Sequence, residues 1–127
     1  MNNGSAKRNG QDASQADLRR KAALLRAVAH PTRLAILREL RGGVKCVADI
    51  LELLPLPQPN VSQHLQVLRR EQIVDSYEDG NLRCYYLTQP RFVELVLKTV
   101  EQESEIITRS AQSVCRERSR TKACCES

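Results

Sequence analysis

The sequence predicts a mainly α fold that carries one β-hairpin, and three observations predict it. Residues 59–70, PNVSQHLQVLRR, place Val61, Leu65 and Leu68 at i, i+4 and i+7, the period of a helix with one buried stripe. A short apolar segment, residues 49–54, stands just before it across the turn Pro55, Leu56, Pro57, Gln58. Residues 73–88 then change period: Ile73, Val74, Tyr77, Leu82, Tyr85, Tyr86 and Leu87 are strand formers around Asp79, Gly80 and Asn81, a hairpin turn signal. A short helix, a tight turn, a second helix and a hairpin make a winged helix-turn-helix, with the hairpin as the wing.

The remaining elements follow in order. Residues 1–12 are polar and without period, and are expected to be a disordered arm. From Asp12 or Ser14 a helical pattern begins, with Leu18, Ala22, Leu25 and Ala29 on one stripe. His30 and Pro31 interrupt it, because the residue before proline avoids helical angles. Pro31 opens a second helix bearing Leu34, Ile36, Leu37 and Leu40, which stops at Gly42 and Gly43. Pro59 sits in the first turn of the helix over 59–70, where its missing N–H costs nothing. The last element is expected as one helix of roughly 25 residues, from Pro90 to beyond Val114, with Phe92, Val96, Val100, Ile107, Ala111 and Val114 on its stripe. A domain of this size cannot cover so long a stripe, so it is expected to pack on a second copy. The expected organisation is therefore an arm over 1–12, a winged-helix and dimerisation domain over 13–114, and a mobile cysteine-containing tail over 115–127.

The 127 residues suffice for one domain with a modest core, and with one Phe, three Tyr and no Trp that core must be aliphatic. A formal charge of +5 suits a polyanionic partner without proving one. No apolar run approaches the ~18 residues of a membrane span, and the N-terminus has no apolar signal core, so a cytoplasmic protein is expected. There the five cysteines, Cys46, Cys84, Cys115, Cys124 and Cys125, are expected as thiols. An enzyme is not expected: no glycine-rich phosphate loop, acid pair or nucleophile beside a helper histidine is present.

The outward side of the helix over 59–70 carries Asn60, Ser62, Gln63, Gln66 and Arg70, flanked by His64 and Arg69. Amides and a hydroxyl match the donors and acceptors of base edges, and arginine at the C-terminal end suits phosphate. The alternative is an ordinary amphipathic surface helix, which would more often show Glu and Lys there. A winged helix used as a protein-interaction adaptor would show a more apolar or acidic surface.

With these elements in place, the chain resembles the ArsR/SmtB family of dimeric winged-helix repressors, the metal- and metalloid-responsive regulators of bacteria. AHPTRLAILREL at 29–40, VADILELL leading into QPNVSQHLQVLRREQIV at 47–74, and YEDGNLRCYYLT at 77–88 carry the resemblance. It implies that the middle helix enters the major groove, that the hairpin tip touches DNA, and that the first and last helices form a homodimer. By position, Gln58, Asn60, Ser62, Gln63, His64 and Gln66 become groove-facing candidates, and Arg69, Arg70 and Arg83 phosphate candidates. Two departures matter. Pro57 stands where the family often has a capping serine. The segment resembling E-L-C-V-C-D-L of arsenic-sensing members keeps its first cysteine as Cys46 but has Ala48 for the second.

The resemblance implies no cofactor for DNA binding and an inducer that is a trivalent arsenical or antimonite. Such soft centres favour thiolates. Cys124 and Cys125 are adjacent and could present two sulfurs, with Cys115 as a third; otherwise they are incidental or pair with each other on oxidation. Cys46 reads as a small buried residue or a ligand, and Cys84 as packing in the wing. The residues expected in the last helix include no His and no Asp, which disfavours the family's zinc or nickel site there. The competing sensor is a thiol-redox or persulfide switch using Cys46 and a distal cysteine.

Overall fold

Capping and turn chemistry set the elements of the computed structural model, which describes residues 3–126 and the side-chain surroundings of residues 14–121. The order is α1 (Asn3–Val28), α2 (Pro31–Arg41), β1 (Lys45–Cys46), α3 (Val47–Leu53), α4 (Gln58–Arg70), β2 (Val74–Asp79), β3 (Leu82–Leu87), α5 (Pro90–Glu101) and α6 (Ala111–Glu126). His30 ends α1 and starts α2: its backbone is extended, and its Nδ1 accepts the Thr32 N–H at 3.0 Å. Gly43, at φ +134, closes α2 in a backbone region that only glycine enters freely.

Helix α4 starts at Pro57 without any side-chain cap, and the Pro57 carbonyl accepts from the Asn60 and Val61 N–H groups at 3.1 and 3.3 Å. Its other end is a Schellman motif. The Gln72 N–H reaches the Arg69 carbonyl and the Ile73 N–H the Leu68 carbonyl, both at 3.0 Å, with Gln72 left-handed at φ +58. The chain leaves this motif straight into β2, so the end of α4 and the hairpin are one joint. Between β2 and β3, Gly80 at φ +63 supplies the positive φ of a two-residue hairpin.

The core lies where α2, α4, α5 and the sheet meet. Ile36, Leu37, Ile50, Val61, Leu65, Leu68, Ile73 and Val93 are all 0% exposed. Helix α3, the tight turn and α4, followed by the β2–β3 hairpin, form a winged helix-turn-helix.

Four expectations need correction. The sheet has three strands rather than two, in the order β1-β3-β2. A two-residue strand carries no periodicity, so β1 was invisible in the sequence. The first helix runs back to Asn3, through the stretch read as a disordered arm. No proline interrupts residues 1–30, so the helix continues at a cost of about 1 kcal/mol for each of Gly4 and Gly10. The long last helix is broken: α5 stops at Glu101, Gln102 is extended, and α6 restarts after Ser110, whose Oγ accepts the Ser113 N–H at 3.2 Å. Glu101, Glu103 and Glu105 are unfavourable at a helix C-terminus, and the β-branched run Ile106, Ile107, Thr108 resists helix. The tail read as mobile is helical, since α6 reaches Glu126.

Candidate functional site

The full burial of Val61, Leu65 and Leu68 fixes which side of α4 faces outward. On that side Gln58, Asn60, Gln63 and Gln66 are exposed, and Ser62 is half-buried at the edge. These residues form an uncharged row of hydrogen-bonding groups. Arg70 is exposed at the C-terminal turn, whereas Arg69 is engaged, its Nε donating to Asp75 Oδ1 at 3.2 Å. Arg83 is exposed on β3, in register with Glu78 of β2.

His64 does not join the outward row. Its ring is half-buried and lies against His30, with ring centroids 4.4 Å apart. Arg33 Nη1 stands 3.2 Å from its Nδ1, an arrangement in which the guanidinium donates and a neutral imidazole accepts. Burial, and then the charges of His30 and Arg33, hold this imidazole below its usual range. The Arg33 Nε also donates to the Ala27 carbonyl at 2.5 Å. One arginine on α2 therefore ties the end of α1 to α4. Sequence reasoning missed this cluster, because His30 and His64 are far apart in the chain and His30 looked only like a helix stop.

The cysteines divide into two groups. Cys46 and Cys84 are direct partners on the antiparallel strands β1 and β3, with their Sγ atoms 3.0 Å apart. Cys84 is buried and Cys46 half-buried. The Cys46 thiol is pushed up to about 11, first by its hydrogen bond to Cys84 and then by burial. Tyr77 of β2 faces Cys84 from the other side, and charge on Cys84 raises its hydroxyl. Asp49 Oδ2 accepts the Cys46 N–H at 3.1 Å, which holds the start of α3.

Cys115 is exposed on α6, and the side chains of Cys124 and Cys125 lie outside the described residues. All three positions belong to one helix. At 1.5 Å per residue, nine or ten residues of helix put Cys115 about 14 Å along the axis from the vicinal pair. The structure thus does not bring the three expected ligands together. Among the described residues no three His, Cys, Asp or Glu side chains form a cluster able to hold a metal ion.

Exposed large apolar residues lie on the flanking helices, with Leu18 and Leu25 on α1, Leu95 and Val100 on α5 and Ile106 and Ile107 beyond it, and also on the body, at Val44, Leu53, Tyr77, Leu82 and Tyr86. A groove of about 1090 Å³ runs between α1, the end of α4 and the start of α5, lined by residues including Leu24, Leu25, Gln72 and Phe92. Among the described residues no helix is long and apolar enough to cross a membrane.

Residues 30–76 match the family described as bacterial regulatory protein, arsR family. The chain is 38% identical over 82 residues to the HTH-type transcriptional repressor SmtB of Mycobacterium tuberculosis, covering 65% of this chain and 61% of that protein. It thus spans about three fifths of that relative's length. It is 32% identical over 89 residues to an arsenical resistance operon repressor of Staphylococcus xylosus, covering 70% of this chain and 81% of the relative. Among solved structures, it is similar to the homodimeric winged helix-turn-helix DNA-binding domain of Mb0332 from Mycobacterium bovis, a possible ArsR-family regulator. That likeness has a TM-score of 0.65 at 26% identity, over 71% of this chain and 86% of the other.

Proposed function

The chain belongs to the arsR family of bacterial regulatory proteins, a family of DNA-binding regulators rather than enzymes, and from that premise we propose a cytoplasmic homodimeric repressor released from its operator by a thiophilic inducer. The observation that carries the DNA-binding half is the outward row of α4. Gln58, Asn60, Gln63 and Gln66 are exposed above a stripe whose complete burial leaves the helix no freedom to rotate. Unpaired amides at that spacing fit base edges in a major groove. Arg70 and Arg83 reach phosphate, Arg69 joins them on leaving Asp75, and Ser62 contacts the groove edge. His64 acts through the packing of α4 against α2 rather than by touching a base. DNA binding needs no cofactor in this reading.

The exposed leucines and valine of α1 and α5 support the dimer, because a second copy would cover them at about 25 cal/mol per Å². Residues 13–114 then bind DNA and dimerise, and residues 115–127 carry the inducer site. The inducer we assign is a trivalent arsenical or antimonite, which favours thiolate ligands. It is taken by Cys124 and Cys125, with Cys115 recruited as a third ligand. Recruitment requires the last turns of α6 to unwind. That costs little, because residues 114–121 of this helix are exposed throughout and an isolated helix of 16 residues is marginal in water. The inducer acts on DNA only through its preference for the DNA-free form.

Anisotropy titration of the full chain against the duplex upstream of its own gene tests the reading. Sequence-preferring binding, weakened five- to 150-fold by arsenite, is expected. Truncation after Thr121 is expected to keep DNA binding and lose the arsenite response. Release of the truncated protein by arsenite would overturn the tail site, and binding without sequence preference would overturn the repressor.

A further inference from the structure

We infer that Cys46 and Cys84 form an oxidisable dithiol site, closing to a cross-strand disulfide that fastens the start of α3 to the wing. Direct partners on antiparallel strands have Cα atoms about 4.5–5.5 Å apart, which lies within the span a disulfide accepts, roughly 4.4–6.8 Å. The two Sγ atoms already stand 3.0 Å apart, so a bond of about 2.05 Å requires an approach of only about 1 Å. A ladder neighbour on one side and a helix cap on the other hold Cys46 in place opposite Cys84. Lys45 faces Tyr85 in the same ladder, and Asp49 Oδ2 holds the Cys46 N–H. The sulfurs thus meet through backbone pairing rather than through a chance side-chain rotation.

The two thiols differ in access, and that difference orders the chemistry. Cys46 is half-buried and meets solvent, whereas Cys84 is buried beneath it. A peroxide is the oxidant class. The Cys46 thiolate attacks one peroxide oxygen, breaking the O–O bond and leaving Cys46 as a sulfenic acid, with the other oxygen released as an alcohol or water. Cys84 sulfur then attacks the Cys46 sulfur, and the hydroxyl leaves as water with the Cys84 proton. In sum, two thiols and one hydrogen peroxide give one disulfide and two waters. Because the thiolate is the reactive form and the Cys46 thiol is raised, this pair reacts slowly and needs peroxide in excess.

The bond would add a covalent link between the start of α3 and the wing, which already meet through the short β1–β3 ladder and through packing of α3 on β3. Cys46 precedes the first residue of α3, and Cys84 lies in the strand leading from the wing tip. This inference does not rest on the arsenical reading, and it uses neither Cys124 nor Cys125.

The experiment is excess hydrogen peroxide on the full-length protein, alkylation of the remaining thiols, and tryptic mass mapping without reduction. Trypsin cuts after Lys45 and Arg83, directly before both cysteines, so the linked peptides are separable. The expected result is a peptide pair joined through Cys46 and Cys84 that dithiothreitol releases, with Cys115, Cys124 and Cys125 still able to form no link to either. Truncation after Thr121 leaves the link intact, and Cys84→Ser abolishes it while Cys46 advances to sulfinic acid. Cys84→Ser is also expected to keep its arsenite response, so either reading can fail without the other. Absence of the Cys46 to Cys84 link from folded full-length protein, or linkage of either cysteine mainly to the tail, would overturn the inference.

Discussion

The interior of the winged-helix body and the outer faces of the helices that flank it dispose of their apolar residues in opposite ways. In the body, Val61, Leu65 and Leu68 of α4 meet Ile36 and Leu37 of α2 with no exposure at all. In the flanking parts, Leu18 is 63% exposed, Val100 56% and Ile107 75%. Helix α1 shows the contrast within one element. Ala27 and Val28 are buried at its end, while the stripe Leu18, Leu25 read from the sequence faces out. A stripe at helical period therefore says that a face must be covered, and not by which chain. The core of the body closes on itself, with Leu53, Tyr77 and Leu82 left exposed around it; the flanks leave whole stripes uncovered by the chain that carries them.

The largest expected effect separates the two regions. Leu65→Ala should cost about 2–5 kcal/mol, since the site is fully enclosed within the core cluster. Ile107→Ser should leave urea unfolding of the body unchanged and act only on self-association. Equilibrium denaturation and sedimentation together check the pair. An equal loss of stability from both substitutions would erase the distinction between body and flank.

Within α4 the same contrast of outward and inward residues sharpens to single side chains. Gln63→Ala should relax operator preference and cost roughly 1–3 kcal/mol for its base contact. Arg70→Ala should weaken all duplexes alike and lower the salt slope by about one per subunit. Affinity titrations on operator and scrambled duplexes at several salt concentrations tell these apart. A Gln63→Ala protein with unaltered preference would move the reading face elsewhere.

His64, on the inward side, gives a pH test instead. Its folded imidazole is held below the ordinary value near 6.5, so below that pH the unfolded chain binds more protons than the folded one. The stability it contributes is whole above about pH 6.5 and is lost as pH falls through the lowered value. Urea midpoints should drop between pH about 7.5 and about 5. His64→Gln, which keeps an acceptor for Arg33 but cannot titrate, should flatten that drop. An unchanged drop would mean that another group governs acid sensitivity.

These contrasts also mark what the sequence could show. The buried stripe of α4 was legible because three residues at i, i+4 and i+7 leave one orientation, and the hairpin was legible from Asp79, Gly80 and Asn81. The break after Glu101 was hidden because Val100, Ile107 and Ala111 keep a helical rhythm across nine non-helical residues. Angle alone left His64 on the flank of the outward side, and only the family resemblance made it groove-facing. Its inward ring depends on His30 and Arg33, which only tertiary packing brings near. The neighbouring thiols were hidden for a related reason: β1 is two residues long, so nothing local announced that Cys46 would face Cys84.

The smallest expected effect lies at the joint between reading helix and wing. Gln72 adopts φ +58, the position of a Schellman motif that glycine usually fills. Its backbone carbonyl accepts the Thr88 hydroxyl at 2.5 Å and the Gln89 side-chain amide at 3.0 Å, and glycine would keep both bonds. Its side chain is exposed, so little packing is lost. Gln72→Gly relieves the left-handed strain, against the greater freedom that glycine has in the unfolded chain. The net gain should be up to about 1 kcal/mol, seen as a higher urea midpoint with an unchanged slope. The opposite change at the hairpin, Gly80→Ala, introduces a side chain at φ +63 and should lose about 1–2 kcal/mol. If Gln72→Gly instead lowered stability, the residue would be held by its side chain rather than tolerated despite its backbone. The joint would then be a contact between α4 and the wing, not merely a turn.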